Sequence, residues 1–252
     1  MNAVILAAGC STRLYPLTSG RPKCLLEVGG KTLLEHQLEA LAACHLSEAI
    51  IVTGYLADHV SAKLVEIRER YPFPLRLVHN PLYAETNNIY SLWMAREAVR
   101  KTDFLCLHAD VLFHPRMLHK AATLEEAACL VVDRELREET MKVRIEQDCI
   151  VAVGKHVREP EASGTFVGLA KFSGDGGRAL FHEIEQLLGE GHKDAYFTAA
   201  IERLAVKGFP VGVCFTEGLP WIEIDVLEDL ERARCDVHPT IERSLHQRCR
   251  VE

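Results

Sequence analysis

The segment Val4–Leu17, VILAAGCSTRLYPL, runs on into Thr18–Lys31, TSGRPKCLLEVGGK. The short apolar, β-branched run Ala3–Ala8 stops at Gly9, the pattern of a buried strand followed by a turn. Cys10, Ser11, Thr12 and Arg13 follow, and Lys23 comes soon after. Small residues let successive backbone N–H groups close on an anion as a concave nest. Gly9 suits the backbone angles such a nest needs, and Arg13 and Lys23 add two charges above it. Residue by residue, an ordinary strand-to-helix turn with a surface Arg and Lys reads the same way. The joint pattern L-A-A-G-x-S-T-R-L, then R-P-K-x-L-L, favours the anion cradle.

Two familiar phosphate loops fail here. A dinucleotide fingerprint needs glycines two apart, but Gly9 is followed by Cys10 and Ser11. A Walker A loop ending in Gly29-Gly30-Lys31-Thr32 needs glycine where Leu25 stands. That segment reads instead as a tight turn into a helix capped by Thr32, with Glu35 completing a capping box.

Working outward, 48–55 and 104–110 read as further buried strands, and 75–80 as another strand. Helices fall at 33–44, 57–70 and 88–98. This alternation predicts βαβ units and a mainly parallel sheet. Beyond residue 110 the rhythm changes. A hairpin is expected at 141–155, turning near Gln147-Asp148, then a strand at 165–173 and helices at 176–189 and 194–206. Strands near 210–215 and 221–225 and a helix from Leu227 complete the prediction. The expected fold class is α/β: one Rossmann-like domain with a mainly parallel mixed sheet flanked by helices. Residues 1–236 are read as this one domain, with the change of rhythm at residue 110 dividing it into 1–110 and 111–236; 237–252 is read as a loosely held polar tail.

Composition narrows the function classes. The net charge of −7 argues against broad attraction to nucleic acid or to an anionic membrane, so an anionic ligand needs local cations. No apolar stretch approaches the ~20 residues needed to cross a bilayer, and MNAVILAAG lacks the basic leader of a signal peptide. The nine cysteines form no C-x-x-C pair, which argues against a zinc site and a secreted disulfide framework. Reduced thiols and the cytoplasm are expected.

LAAGCSTRLYPLTSGRPKCLLEVGGKTLLEHQLEAL, 6–41, resembles the opening of the nucleotidyltransferases that activate sugar phosphates, inositol phosphate, phosphocholine and aminoalkylphosphonates. Their usual pattern is L-A-A-G-x-G-[ST]-R-L…P-K, so Cys10 and Ser11 stand around a position that usually carries glycine. The resemblance implies a GT-A-like nucleotidyltransferase, with 1–110 as the nucleotide-binding half and 111–236 as the acceptor-binding half. It also implies that Leu6, Ala7, Ala8, Gly9, Cys10, Ser11, Thr12, Arg13 and Lys23 hold a nucleoside triphosphate.

N-P-x-Y-x-x-x-N-N-x-Y-S-L, 80–92, is similar to the phosphocholine and 2-aminoethylphosphonate cytidylyltransferases. That similarity implies CTP, with Thr86, Asn87, Asn88 and Ser91 at the nucleotide. An Asn amide can match the donor and acceptors of cytosine, and it also caps helices; both readings stay open. Within the resemblance, Asp110 and Asp225 bind Mg²⁺ as the cofactor and, with Arg13 and Lys23, form the catalytic set. Taken alone, Asp225 reads as a helix N-cap. The segment that usually reads D-x-D is His108-Ala109-Asp110 here, and His108 is taken as a bystander.

The stretch 139–157 resembles the acceptor-side hairpin of related cytidylyltransferases, which places Lys142 and Lys155 at an acceptor phosphate or phosphonate. As bare sequence they are ordinary surface lysines. Tyr90, Trp93, Tyr196, Phe197 and Trp221 are candidates for a cage around a quaternary ammonium. Glu223 or Asp194 suits a primary ammonium instead. The expected acceptor residues are Lys142, Lys155, Tyr196, Trp221 and Glu223. The expected partners are CTP and a small phosphonate or phosphate acceptor, without nucleic acid or membrane; a homodimer is compatible with the chain. The alternatives are a sugar- or inositol-1-phosphate nucleotidyltransferase using another NTP, and a non-catalytic nucleotide-sensing module.

Overall fold

A computed structural model describes residues 1–137 and 140–248. In chain order the first half contains β1 (Asn2–Ala7), a hairpin of β2 (Glu27–Val28) and β3 (Lys31–Thr32), and α1 (Leu33–Ala42). It continues with β4 (Glu48–Thr53), α2 (Ala57–Ile67), β5 (Leu75–His79), α3 (Asn88–Met94), α4 (Arg96–Val99) and β6 (Phe104–His108). Next come β7 (Val111–Phe113), α5 (Pro115–Ala122), β8 (Ala128–Asp133), β9 (Lys142–Glu146), β10 (Cys149–Gly154) and β11 (Gly164–Phe172). The chain then forms α6 (Gly174–Gly189), α7 (Thr198–Val206), β12 (Gly212–Phe215), β13 (Trp221–Glu223), α8 (Leu227–Arg232) and α9 (His238–Arg248).

Strands β5, β4, β1 and β6 lie side by side in parallel, so the first half is a Rossmann-type sheet. Strand β11 joins β6 antiparallel, and β9 and β10 extend that edge as the expected hairpin. Its turn residues Gln147 and Asp148 both adopt positive φ, 49° and 61°, the geometry whose twist matches a tight hairpin. Strand β8 pairs with β11 and β12; neither β8 nor α5 has a counterpart in the expectations above.

The alternation of β1 is the reason both sheet faces are covered. Ala3, Ile5 and Ala7 pack towards α1, α2 and α5, whereas Val4 packs with α3, α6 and α7. Such double burial is what a parallel sheet requires. Thr32 and Glu35 form the capping box expected from their spacing. Among the described residues no helix is long and apolar enough to cross a membrane. The eight described cysteines are all free, four of them buried; Cys249 lies outside the described residues.

The expected loose tail is different. Helix α9 packs Ile241, 5% exposed, into a third apolar cluster with Leu14, Val28, Leu112 and Leu230. A side chain added at Gly29 would meet the His238 ring at 2.1 Å, so the β2–β3 turn and α9 fit only through that glycine. Residues 249–252 of the tail lie outside the described residues. The ring of His238 meets the His36 ring edge-on at 5.2 Å, and His36 Nε2 donates to the Val28 carbonyl at 2.8 Å.

Burial, with His238 and Lys31 nearby, holds the His36 imidazole below its ordinary value of 6.5 despite Glu39 and the Val28 carbonyl. The unfolded chain therefore binds more protons than the folded one just below pH 6.5, and stability falls as pH drops through that window. Denaturant unfolding at pH 7.5 and pH 5 is expected to show this loss in the wild type and less of it in His36→Gln. Equal losses in both proteins would place the effect elsewhere.

Candidate active site

The C-terminal ends of β1 and β6 open onto a cleft of about 220 Å³. Ligands of open α/β sheets gather at this edge. The loop after β1 is built around Ser11, at φ 50° and ψ 46°. This left-handed conformation is where glycine is at ease and other residues are strained by ~1–2 kcal/mol. Gly9, expected to supply the unusual angles, is not among the positive-φ residues, and a Cβ there would meet nothing within 4 Å. The conformational demand falls on Ser11, while Gly9 leaves open space on the cleft side.

The loop is held from behind. Fully buried Thr18 donates its hydroxyl to the Ser11 carbonyl at 2.8 Å, and Tyr55 donates its own to the Thr18 and Ser19 carbonyls at 3.2 and 3.1 Å. Fixing the Ser11 carbonyl fixes the opposite orientation of the next peptide N–H. Tyr55 stands just beyond β4, so the loop is pinned to the sheet.

Lys23 is the centre of charge. Its ammonium, on a side chain 11% exposed, lies 2.8 Å from Asp110 Oδ2 and 2.7 Å from Asp225 Oδ1. Arg13 reaches Asp225 Oδ2 at 2.9 Å. Burial opposes the Lys23 charge, yet Asp110 and Asp225 hold its pKa above the ordinary value. Burial likewise works against the Asp110 carboxylate, but Lys23 and His108 bring its pKa down.

Asp110 lies in the turn after β6, not within the strand, and Asp225 follows β13. Strands β7 and β13 pair antiparallel, with Val111 opposite Glu223, and the Ile224 N–H donates to the Asp110 carbonyl at 3.0 Å. Two acids far apart in sequence are thereby brought to one point. Gln37 of α1, 1% exposed, clamps the same turn by donating to the His108 and Val111 carbonyls at 2.8 and 2.9 Å. Asp225 is not a helix cap: Asp229 accepts from the Asp225 and Val226 N–H groups instead.

The cleft gathers Leu6, Ala7, Ala8, Gly9, Ser11, Arg13 and Lys23 with Thr86, Asn87, Asn88 and Ser91. On its other side stand Asp110, Lys155, Tyr196, Glu223 and Asp225. Four expected residues do not line it. Cys10 is half-buried and Thr12 exposed, and neither borders the cleft. Lys142 lies 3.9 Å from Glu159. Trp221 is buried, donates its indole N–H to Asp133, and carries Arg137 on its face at 3.9 Å.

Cys24, Tyr83, Ala109, Thr140 and Met141 line the cleft without having been expected. So does His108, which is no bystander: its Nε2 lies 3.3 Å from Asn88 Nδ2, and burial lowers its pKa. An ionisable residue ending a buried strand two positions before Asp110 was the available signal.

Glu223 adds a further acid. Burial, then Asp110 and Asp225, push its carboxyl up to about 8 against Lys23 and Arg13. Donor atoms of His108, Asp110 and Glu223 lie within 4.8 Å of one another, and Asp110 Oδ1 is a buried oxygen without a hydrogen-bond partner among the described residues.

A left-handed loop after β1, with Arg13, Lys23 and clustered carboxylates gathered at one edge of the sheet, fits a nucleotidyltransferase of the GT-A-like fold. The chain belongs to the family of MobA-like NTP transferase domains, whose model matches residues 3–204. It is 27% identical over 254 residues to CTP:phosphoglutamine cytidylyltransferase of Campylobacter jejuni subsp. jejuni, covering 92% of this chain and 98% of that enzyme. It is 36% identical over 122 residues to 2-aminoethylphosphonate cytidylyltransferase of Lancefieldella rimae, covering 46% of this chain and 47% of the other. The solved structure of CTP:phosphocholine cytidylyltransferase from Streptococcus pneumoniae superposes with a TM-score of 0.75 at 27% identity, covering 92% of this chain and 97% of that one.

Proposed function

We propose that the protein transfers CMP from CTP to a small phosphonate or phosphate acceptor and releases pyrophosphate, with Mg²⁺ as cofactor. The observation that carries this reading is the Lys23 ammonium bridging Asp110 and Asp225 beside the Ser11 loop. The relatives with cytidylyltransferase activity support CTP as the donor.

In this reading an anionic oxygen of the acceptor attacks the α-phosphorus of CTP in line, and the bond to pyrophosphate breaks. The acceptor is already ionised near neutral pH, so no general base is required, and the residues act by positioning and charge neutralisation. The loop N–H groups, Arg13 and Lys23 hold the triphosphate and balance the charge of the departing pyrophosphate. The residues present fit a divalent cation: Lys23 stands in for a positive charge between two carboxylates, and Asp110 Oδ1 is unpartnered. Oxygen donors of this kind suit a hard cation. Asp110 and Asp225 would hold Mg²⁺, which when bound supplies Lewis-acid polarisation of the α-phosphate.

The aromatic residues favour an aminoalkylphosphonate over phosphocholine. Phe197 is fully buried, Trp221 lies under Arg137, and the Trp93 ring carries Arg96 at 4.2 Å. Tyr90 packs against the second core cluster and Asp194 is exposed, both away from the cleft. Tyr83 and Tyr196 remain at the cleft, and the Lys155 ammonium already sits 5.9 Å from the Tyr196 ring centre. Holding a quaternary ammonium takes several free aromatic faces. A primary ammonium needs only a carboxylate, and Glu223 offers one, while Lys155 suits the phosphonate.

A panel of NTPs crossed with 2-aminoethylphosphonate, phosphocholine, inositol-1-phosphate and hexose-1-phosphates, read by pyrophosphate release, tests the proposal. CTP with 2-aminoethylphosphonate is expected to turn over fastest, and a chelator to abolish turnover. Preference for UTP or dTTP with a hexose phosphate would overturn it. CTP binding without turnover on any acceptor would leave a nucleotide-sensing module.

A further inference from the structure

We propose that Asn88 is a positioning residue that ties the acceptor-side wall of the cleft to its nucleotide side, and is not a reader of the base. The inference rests on the function proposed above. Asn88 is the first residue of α3, capped by Asn87, whose Oδ1 accepts the Asn88 N–H at 2.8 Å. Its own amide is engaged at both ends. Oδ1 accepts the Phe197 N–H at 2.8 Å, and Nδ2 donates to His108 Nε2 at 3.3 Å.

These two bonds join three elements that sequence holds far apart. Phe197 begins the turn into α7, next to Tyr196 at the cleft. His108 ends β6, two residues before Asp110. Its ring is wedged edge-on between Phe166 and Phe197, each 5.7 Å away, so it cannot swing without disturbing that packing. The same wall is fastened again where the Asn87 N–H donates to the Lys193 carbonyl at 3.1 Å and Lys193 Nζ meets Glu85 at 3.2 Å.

A side chain with its oxygen and one amide hydrogen committed inside the protein has little left to discriminate cytosine from uracil. Asn87, whose carbonyl alone is used, is the better placed of the two to face the base. What Asn88 controls is the separation of the Tyr196 segment from α3 and the end of β6, and in-line attack depends on that separation. Nucleotide bound against the start of α3 should therefore steady the acceptor wall before acceptor arrives, a coupling between two sites through one shared element.

The test separates the roles. In Asn88→Ala, the KM for 2-aminoethylphosphonate is expected to rise about tenfold, the scale of two lost hydrogen bonds that are partly shielded from solvent. The CTP-to-UTP preference should stay within about twofold of wild type, because the base contacts are elsewhere. Asn88→Asp retains the acceptor for the Phe197 N–H, and the imidazole can present N–H to the new oxygen in its other tautomer. It is expected to restore the acceptor KM to within about threefold. Collapse of the CTP preference with unchanged acceptor KM would make Asn88 a base reader and overturn the proposal, as would failure of Asp to rescue. Hydrogen–deuterium exchange of the wild type with CTP and no acceptor gives a readout independent of any variant. Slowed exchange at both 84–91 and 193–198 is expected. Protection of 84–91 alone overturns the tie, whereas protection of neither overturns the nucleotide site itself.

Discussion

Lys23→Ala is expected to lower turnover by about 10²–10³, equivalent to ~3–4 kcal/mol of transition-state stabilisation. No other cation is so deeply placed among the described cleft residues: Lys23 is 11% exposed, against 54% for Arg13. The variant will not be a silent deletion for the fold. Two carboxylates, 25% and 28% exposed, would be left facing one gap with no ammonium between them. Breaking a fully buried pair costs about 3–5 kcal/mol; with this much solvent the loss should be nearer ~1–3 kcal/mol. The vacated gap should also take a divalent cation more readily, so Mg²⁺ is expected to raise the Tm of the variant more than that of wild type. Single-turnover kinetics and melting curves with and without Mg²⁺ check all three statements. Turnover within a few-fold of wild type would remove Lys23 from the reaction.

Glu223→Gln carries the second large effect, on stability against pH in the presence of a chelator. The Glu223 carboxyl is pushed up from 4.5 to about 8, first by burial and then by Asp110 and Asp225. Between those two values the folded protein keeps a proton that the unfolded chain has released. Stability must therefore fall as pH rises from about 4.5 and level off above about 8. A shift of this size corresponds to ~3–5 kcal/mol at the alkaline end. Glutamine mimics the protonated form and removes the slope, so the variant should overtake wild type as pH rises. Unfolding free energies at pH 5, 6.5 and 8 that run parallel for the two proteins would contradict the assignment. A cation arriving beside Glu223, whether ammonium or metal, would draw off the proton and erase the difference.

The frame of the molecule was legible because strand and helix periodicities are local properties. The alternation in Ala3–Ala8, the Thr32/Glu35 cap and the Gln147-Asp148 turn all follow from neighbouring residues. The site was legible only in part. Lys23, Asp110 and Asp225 were named through family resemblance, and spacing alone could not have joined them, since the β7–β13 pairing creates their meeting point. Lys142 and Trp221 were misplaced because their surroundings come from distant segments: Glu159 for one, Asp133 and Arg137 for the other. Ser11 shows the opposite case. The pair Cys10-Ser11 was marked in the sequence as standing around a position usually held by glycine, and within that pair the backbone is left-handed at Ser11.

The β7–β13 ribbon has an implication for how such proteins diversify. The chain leaves the ribbon after Phe113 and returns to it at Trp221, and everything between is an excursion that starts and finishes at the same spot. The β9–β10 hairpin lies at the outer edge of the sheet within that excursion. Loops there can be exchanged like cassettes while the two carboxylates, clasped by strand pairing, keep their spacing. A lineage can thus vary those loops without re-inventing the Asp110–Asp225 pair, and an engineer grafting loops between residues 134 and 163 works under the same protection.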